Sequence, residues 1–464
     1  MGVKVNGTDE ERGTTIRSLP DSQDSGVSSP KYAWYVVAVL TGCYTLSFVD
    51  RQILSLLVRP IKQDLALNDT QIGLLQGFAF ALFYTLCGLP IGRIADHHTR
   101  KNVIAVGILL WSLFTSTCSI ARGFAYLFLA RMGVGIGEAT LNPSAFSLIS
   151  DYFPKERLGA ALGVYSMGIF IGSGGALIFG GTVIEALARW PLINVPVLGN
   201  LTWWRVTFLA VGAPGVLAAF WMYTLREPVR RDVLSGRDGR VPRLSLKEAK
   251  KQICLRWGSL VGLSLGIAGQ AMSTYAFLAW APSYFERHYG WMPGQAGRQL
   301  GWILLIACCP GMYAGGCLSD NWLSEGVRNA PLRVGVLSAF GTGILFTIAL
   351  SRHSSLWTVL WLLPALFFLS LPVGSTFAAL QLIMPNQVRA QVSAIFTSIV
   401  SIVGLTLGPL LPGVLNDYLF RDERMIHVSL LLTILFASII MLVAFRMTFT
   451  PYRRDYLLLH PDNS

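Results

Sequence analysis

Charge is scarce in this chain. Asp, Glu, Lys and Arg make up 13% of its 464 residues while hydrophobic residues make up 53%, roughly half the charge of an ordinary soluble domain. A surface facing water on all sides cannot be built from that supply, which excludes a soluble globular fold. Histidine is scarce too, with six residues. The seven cysteines (Cys43, Cys87, Cys118, Cys254, Cys308, Cys309 and Cys317) are odd in number and show no ligand spacing to a histidine. Neither a disulfide framework nor a metal site is expected from that pattern. The sequence also lacks a nucleophile elbow, a paired metal-ligand motif and a redox cysteine pair, so it predicts no enzyme and no cofactor. Its polar first 30 residues lack the apolar core of a cleaved signal and are expected to form a disordered tail over residues 1–32.

Long apolar runs are what the chain has. Twelve of them begin near residues 33, 70, 102, 124, 159, 205, 257, 297, 331, 355, 389 and 425, each close to the roughly 20 residues a helix needs to cross a bilayer. The composition therefore predicts an all-α membrane protein with a lipid bilayer as its surroundings. Lys and Arg concentrate in the loops on the side that carries both termini, an asymmetry that predicts cytoplasmic termini; the cell inner membrane is the expected location. This asymmetry accounts for the net charge of +12 without a nucleic-acid partner, since no aromatic or motif context accompanies the basic residues. Their densest cluster, from Arg226 to Arg256, divides the chain into an N-terminal half over 33–226, a basic linker over 227–256 and a C-terminal half over 257–447. A tail over 448–464 follows, and a monomer is expected.

The two halves repeat. Gly92-Arg93-Ile94-Ala95-Asp96 follows the second span, and Gly316-Cys317-Leu318-Ser319-Asp320 follows the eighth. Close glycines in the fifth span (Gly172, Gly174, Gly175, Gly180, Gly181) and Gly404, Gly408, Pro409 and Gly413 in the eleventh mark helices that approach a neighbour closely, where the halves pack and flex.

Against this apolar background, Asp50 and Arg51 in the first span and Arg131 and Glu138 in the fourth stand out. A charge near the bilayer centre costs at least about 2.5–3.5 kcal/mol, and such residues mark a substrate or ion path. Asp50 and Arg131 fall at a common depth, roughly 13 Å below the outer surface, and Glu138 lies two turns beyond Arg131 on the same face. Two carboxylates and two guanidiniums cancel when paired, and protonating one carboxylate leaves a positive charge for an anionic headgroup. Asp50 and Glu138 are thus the expected proton carriers, with Arg131, Arg51 and Glu138 at the substrate. Arg51 points about 100° away from Asp50 around the helix, so the two cannot face one cavity equally. Tyr84, Gln270, Tyr275 and Gln381 are further polar residues expected to line a cavity.

Gly92-x-x-x-Asp96-x-x-x-Arg100-Lys101 resembles the cytoplasmic signature loop of the major facilitator superfamily, and Arg131-x-x-x-Gly135-x-Gly137 resembles its fourth-helix motif. Thr99 departs from the usual glycine. Asp50-Arg51, the run Arg131 to Ala139, and Asp151-Tyr152-Phe153-Pro154-x-x-Arg157 resemble the Spinster branch in a compact bacterial form. The resemblance implies the major facilitator fold, twelve transmembrane helices in two six-helix halves, with the first and fourth helices neighbours at a central cavity. It implies transport of amphipathic lipid-like anions, such as sphingosine-1-phosphate or lysophospholipids, by alternating access and coupled to protons. It also implies a conformational latch formed by Gly92, Asp96, Arg100, Lys101 and Asp320, closing on a C-half helix in the outward-open state. The alternatives are a proton-coupled symporter of small organic anions, such as sugar acids or aromatic carboxylates, and a membrane sensor that binds without transporting.

Overall fold

Backbone polar groups buried in hydrocarbon must be satisfied within the chain, and the apolar runs accordingly become helices. The computed structural model describes residues 30–153, 155–190, 192–196, 198–228, 246–351, 354–384 and 389–459. Among the described residues twelve helices are long and apolar enough to span a membrane: α1 (Pro30–Leu56), α2 (Asp69–Gly88), α3 (Arg100–Ile120), α4 (Phe124–Tyr152), α5 (Ala161–Leu187), α6 (Trp203–Tyr223), α7 (Trp257–Tyr289), α8 (Pro293–Ser324), α9 (Ala330–Leu350), α10 (Ser355–Ile383), α11 (Ile395–Phe420) and α12 (Glu423–Leu458). Their order and number match the sequence expectation. The C-terminal helix does not stop at residue 447: it runs on to Leu459, and the stretch expected as a tail is helical up to that point. Its continuation is anchored by Ser259, which donates to the buried Asp455 carboxylate at 2.5 Å. Of the tail expected over 1–32, residues 1–29 lie outside the described residues and Pro30–Tyr32 already belong to α1; most of the basic linker, residues 229–245, also lies outside them.

One departure from an all-helical chain is a two-stranded antiparallel hairpin between α5 and α6, pairing β1 (Leu192–Val195) with β2 (Gly199–Thr202). Gly199, at φ +75°, supplies the turn conformation that a side chain would resist.

Successive helices alternate direction, so the beginning of α1 and the end of α12 share one face of the bundle, the near face. The connections α1–α2 and α7–α8 lie at the opposite, far face. Toward the far face the halves share one apolar cluster, with Ile53 and Leu57 from the first half packed among Trp280, Phe285 and Leu300 from the second. Toward the near face the core divides. One cluster holds Val36, Ile108, Trp111 and Leu148 and, among the described residues, takes Leu405 as its one buried member from the second half, whereas another is built from C-half residues such as Leu263, Phe396, Phe445 and Tyr452.

Two helix pairs hold the far face shut. Along α5 and α8, Gly174 faces Gly301 and Gly181 faces Gly294 so closely that a methyl group at Gly301 would lie 2.4 Å from the Gly174 carbonyl oxygen. Along α2 and α11, a methyl group at Gly73 would lie 2.6 Å from the Pro409 carbonyl oxygen. Of the two glycine runs, Gly174, Gly181 and Gly413 meet the other half, whereas Gly172 and Gly180 pack on α1, and Gly404 and Gly408 on α7, within their own halves. Near the near face, in contrast, a methyl group at Gly88 or Gly92 would meet nothing within 4 Å. Helix α11 is itself irregular: wide π-helical turns at Ser401–Leu405 and Leu415–Phe420 flank a central stretch carrying Pro409 and Pro412, residues that remove intrahelical donors.

Candidate functional site

Asp50 and Arg51 are consecutive, so α1 aims them in different directions. Arg51 reaches Glu138 of α4, with Nη2 2.5 Å and Nε 2.7 Å from Oε2. Its guanidinium also lies 4.3 Å from the Phe80 ring centroid, 4.9 Å from Phe48 and 5.4 Å from Tyr84. A guanidinium stacked on aromatic faces gains attraction there and stays desolvated. Behind this cage, Tyr84 accepts a hydrogen bond from Asn142 Nδ2 at 2.9 Å, and Tyr165 donates to Asn142 Oδ1 at 2.7 Å. Neither Asn142 nor Tyr165 stood out in the sequence, because single polar residues in spans commonly serve helix packing.

Arg51 opens onto a cavity of about 30 Å³ at the seam of the halves, large enough for water and far below the size of a small-molecule site. Phe48, Gln52, Gln76 and Phe80 line it from the first half, with Tyr275, Leu405 and Pro409 from the second. Its narrowness belongs to the closed far face. Gln76 Nε2 is buried there without a hydrogen-bond partner.

Behind the Arg51–Glu138 ion pair, Arg131 and Asp50 are neighbours joined through the backbone, with no ion pair between their charged groups among the described residues. Arg131 Nη1 donates to the Asp50 main-chain carbonyl at 3.2 Å, and both residues are buried. Asp50 Oδ1, Arg131 Nε and Glu138 Oε1 are buried without hydrogen-bond partners. Helices α1 and α4 thus bring all four expected charges together, as one ion pair at the cavity and, behind it, two neighbouring charged groups that form no ion pair among the described residues.

That division separates the expected substrate residues into those at this cavity and those away from it. Arg131, expected to meet the headgroup, is turned to the Asp50 carbonyl, and Arg51 lines the cavity instead. Gln270 also lies away from this cavity: its amide donates to the Leu369 carbonyl at 3.2 Å and to Thr274 Oγ1 at 3.0 Å, tying α7 to α10. Gln381 donates to Ser393 Oγ at 3.1 Å in the near part of the second half, also away from the cavity. Tyr275 lines the cavity, and Tyr84 stands beside Arg51.

At the near face, Arg100 and Lys101 are engaged within their own half. Arg100 pairs with Asp151 and, through Nε at 2.8 Å, with Glu227, and its Nη1 donates to the Ser147 carbonyl at 3.0 Å. Glu227 also accepts from the backbone N–H groups of Arg100 and Lys101 at 3.2 and 3.1 Å, capping the start of α3. Gly92 faces open space and Asp320 is exposed. The side chain of Asp96 lies outside the described residues. The bonds of Arg100 and Lys101 therefore do not cross to the C-half helix implied for the latch.

The far face carries a polar closure that the sequence did not disclose. Asp69, fully buried at the start of α2, accepts from Lys62 at 2.5 Å, from Arg287 of α7 at 2.7 and 2.8 Å, and from Asn416 of α11 at 2.6 Å. In return Asp417 of α11 accepts from the Thr70 N–H and hydroxyl, both at 2.6 Å, at the N-terminus of α2. In sequence Asp69 reads as an ordinary first-turn acid after the Asn68 cap, and its partners in the second half, Arg287 and Asn416, lie more than 200 residues away.

Comparison with known proteins places these features in context. The sequence matches the Major Facilitator Superfamily over residues 40–409. It is 28% identical over 446 residues to an MFS-type efflux pump of Mycolicibacterium smegmatis, covering 94% of this chain and 97% of that protein. It is 25% identical over 387 residues to a probable L-galactonate transporter of Escherichia coli, covering 80% of each. Among solved structures, a bacterial homologue of the human lysosomal transporter Spinster, in an inward-facing and unoccupied conformation, superposes with a TM-score of 0.76 at 26% identity, covering 93% of this chain and 98% of that one.

Proposed function

The chain belongs to the Major Facilitator Superfamily, a family of multi-pass membrane transporters of small molecules, and from that premise we propose that it moves an amphipathic anion by alternating access, coupled to protons. The observation that carries this reading is Arg51. It is held in an aromatic cage at the seam of the halves, and Glu138 is its one carboxylate partner among the described residues. With Glu138 ionised, the pair is neutral and Arg51 is occupied. A proton on Glu138 removes that competitor and leaves the guanidinium to a phosphate or carboxylate head, which it binds as a planar fork. Deprotonation reverses the exchange and releases the anion, so proton and anion occupancy are linked at one side chain. The rings of Phe48, Phe80 and Tyr84 favour an apolar body behind the head. Asp50, beside Arg131 and without an ion-pair partner among the described residues, is read as the second proton carrier.

The near face, with the basic linker and both termini, is read as cytoplasmic by its charge. The conformation is then inward-facing, closed outside by the α2–α11 and α5–α8 contacts. The two six-helix halves are the rigid bodies that rock about this seam. In the opposite conformation Gly92, Asp96, Arg100, Lys101 and Asp320 approach the partner half as the latch. The chain is read as a monomer in the inner membrane.

Flux into proteoliposomes under an imposed pH gradient tests the reading. Uptake of lysophosphatidate is expected to follow the gradient and to be lost in Arg51→Ala. No gradient-dependent flux, with binding intact, turns the protein into a sensor. A second reading, a symporter of small organic anions such as sugar acids, draws on the amides of Gln52 and Gln76 in the same cavity, groups suited to hydroxyls. Competition by glucuronate without competition by lysolipid selects it.

A further inference from the structure

The far-face closure has an outer side. Above Asp69 lies a vestibule of about 670 Å³, within the range of small-molecule sites. Five cations line it, Arg59, Lys62, Arg287, Arg421 and Arg424 being set against the three acids Glu286, Asp422 and Glu423. The cations are not equally spent. Arg59 pairs with Glu286, while Lys62 and Arg287 share the buried Asp69. The guanidiniums of Arg421 and Arg424 have no ion-pair or side-chain partner among the described residues.

Glu423 is the informative member. Its carboxylate lies 2.8 Å from Lys62 Nζ and 4.0 Å from Arg287 Nε, although its side chain is 65% exposed, against 9% for Lys62 and 12% for Arg287. A solvent-facing carboxylate resting on two largely buried cations is held weakly, since exposed pairs contribute about 0–1 kcal/mol. It is also a carboxylate of the kind a cargo would bring. We propose that this vestibule is a second, peripheral anion site, taking the carboxylate or phosphate head of an anion against Lys62, Arg287 and Arg424, with Glu423 as the chain's own competing ligand. The proposal extends the anion-transport reading but does not need Arg51. Such a site raises the local concentration of anions at the closed face before the central cavity is open to it.

Equilibrium binding to the full chain in nanodiscs tests this in an Arg51→Ala background, which under the functional reading disables the central site. Two radiolabelled probes distinguish the source of the head: glucuronate from solution and lysophosphatidate from the bilayer. Saturable binding of at least one probe is expected, tightened about three- to fivefold by Glu423→Gln, the most that losing one exposed competitor allows. Arg424→Ala is expected to weaken it. Glu325→Gln, an exposed acid at the other face, controls for net charge and should change nothing. Absence of binding by either probe in the Arg51→Ala background overturns the proposal. So does binding that Glu423→Gln and Glu325→Gln alter equally, or that Glu423→Gln leaves unchanged. If wild-type flux fails while this binding persists, the transport reading falls and the peripheral site stands.

Discussion

A single-residue rotation around α1 decides which cation meets the cavity. Arg51 and Asp50 differ by about 100° on the helix, and the structure spends that difference by giving Arg51 to Glu138 and the aromatic cage, and Asp50 to the interior beside Arg131. Removing one member of a buried pair strands the other at about 3–5 kcal/mol, whereas removing both is much milder. Arg51→Ala is therefore expected to lower thermal stability more than the Arg51→Ala/Glu138→Ala double variant, as unfolding in detergent would register. Glu138→Gln should fold, keep anion binding and lose the dependence of transport on pH; a pH–rate profile parallel to wild type would remove Glu138 from coupling. Asp50→Asn carries the same expectation. That four charges would gather was legible, because hydrocarbon penalises each of them alone. Which arginine would face the seam was not, because helical register against neighbouring helices depends on packing that no local pattern records.

Helix pairs at the seam are set by glycine. The spacing of Gly174 and Gly181 announced a close approach, but the partner, Gly294 and Gly301 of α8, became evident only in three dimensions. Overpacking such a contact costs about 1–3 kcal/mol. With a methyl group 2.4 Å from the Gly174 carbonyl oxygen, Gly301→Ala should push α5 from α8 and favour the outward-open state. Spin labels at Ile120 and Met292, both exposed at the far face, should then report longer separations; an unchanged distance distribution would show that the seam tolerates the methyl group. The π-helical turns of α11 were not readable either. Pro409 and Pro412 signal lost donors, but not how the helix rewinds to accommodate them.

Across the whole molecule the closure rests on two carboxylates exchanged between halves, Asp69 toward Arg287 and Asn416, and Asp417 toward the start of α2. Asp69→Asn leaves Arg287 and Lys62 short of their main counter-charge. A loss near 3 kcal/mol corresponds to more than a hundredfold shift in a two-state equilibrium, so this variant should populate the outward-open state, read as modification of a cysteine placed at Gln76. Protection equal to wild type would assign closure to the glycine contacts alone. The number of spans, the two halves and the near-face basic character were all legible from hydropathy and charge. This closure was not, since its members are separated by hundreds of residues and each has an unremarkable local explanation.

Trp280 offers a built-in optical gauge of the cycle. Its fully buried indole donates to the Pro409 carbonyl of α11 at 2.8 Å, and that same carbonyl faces Gly73 across the seam. Emission from this indole, isolated by replacing the other tryptophans with phenylalanine, should shift to the red whenever the helices part and water arrives. Opening would then be watched in unlabelled protein, in real time, as a change of colour.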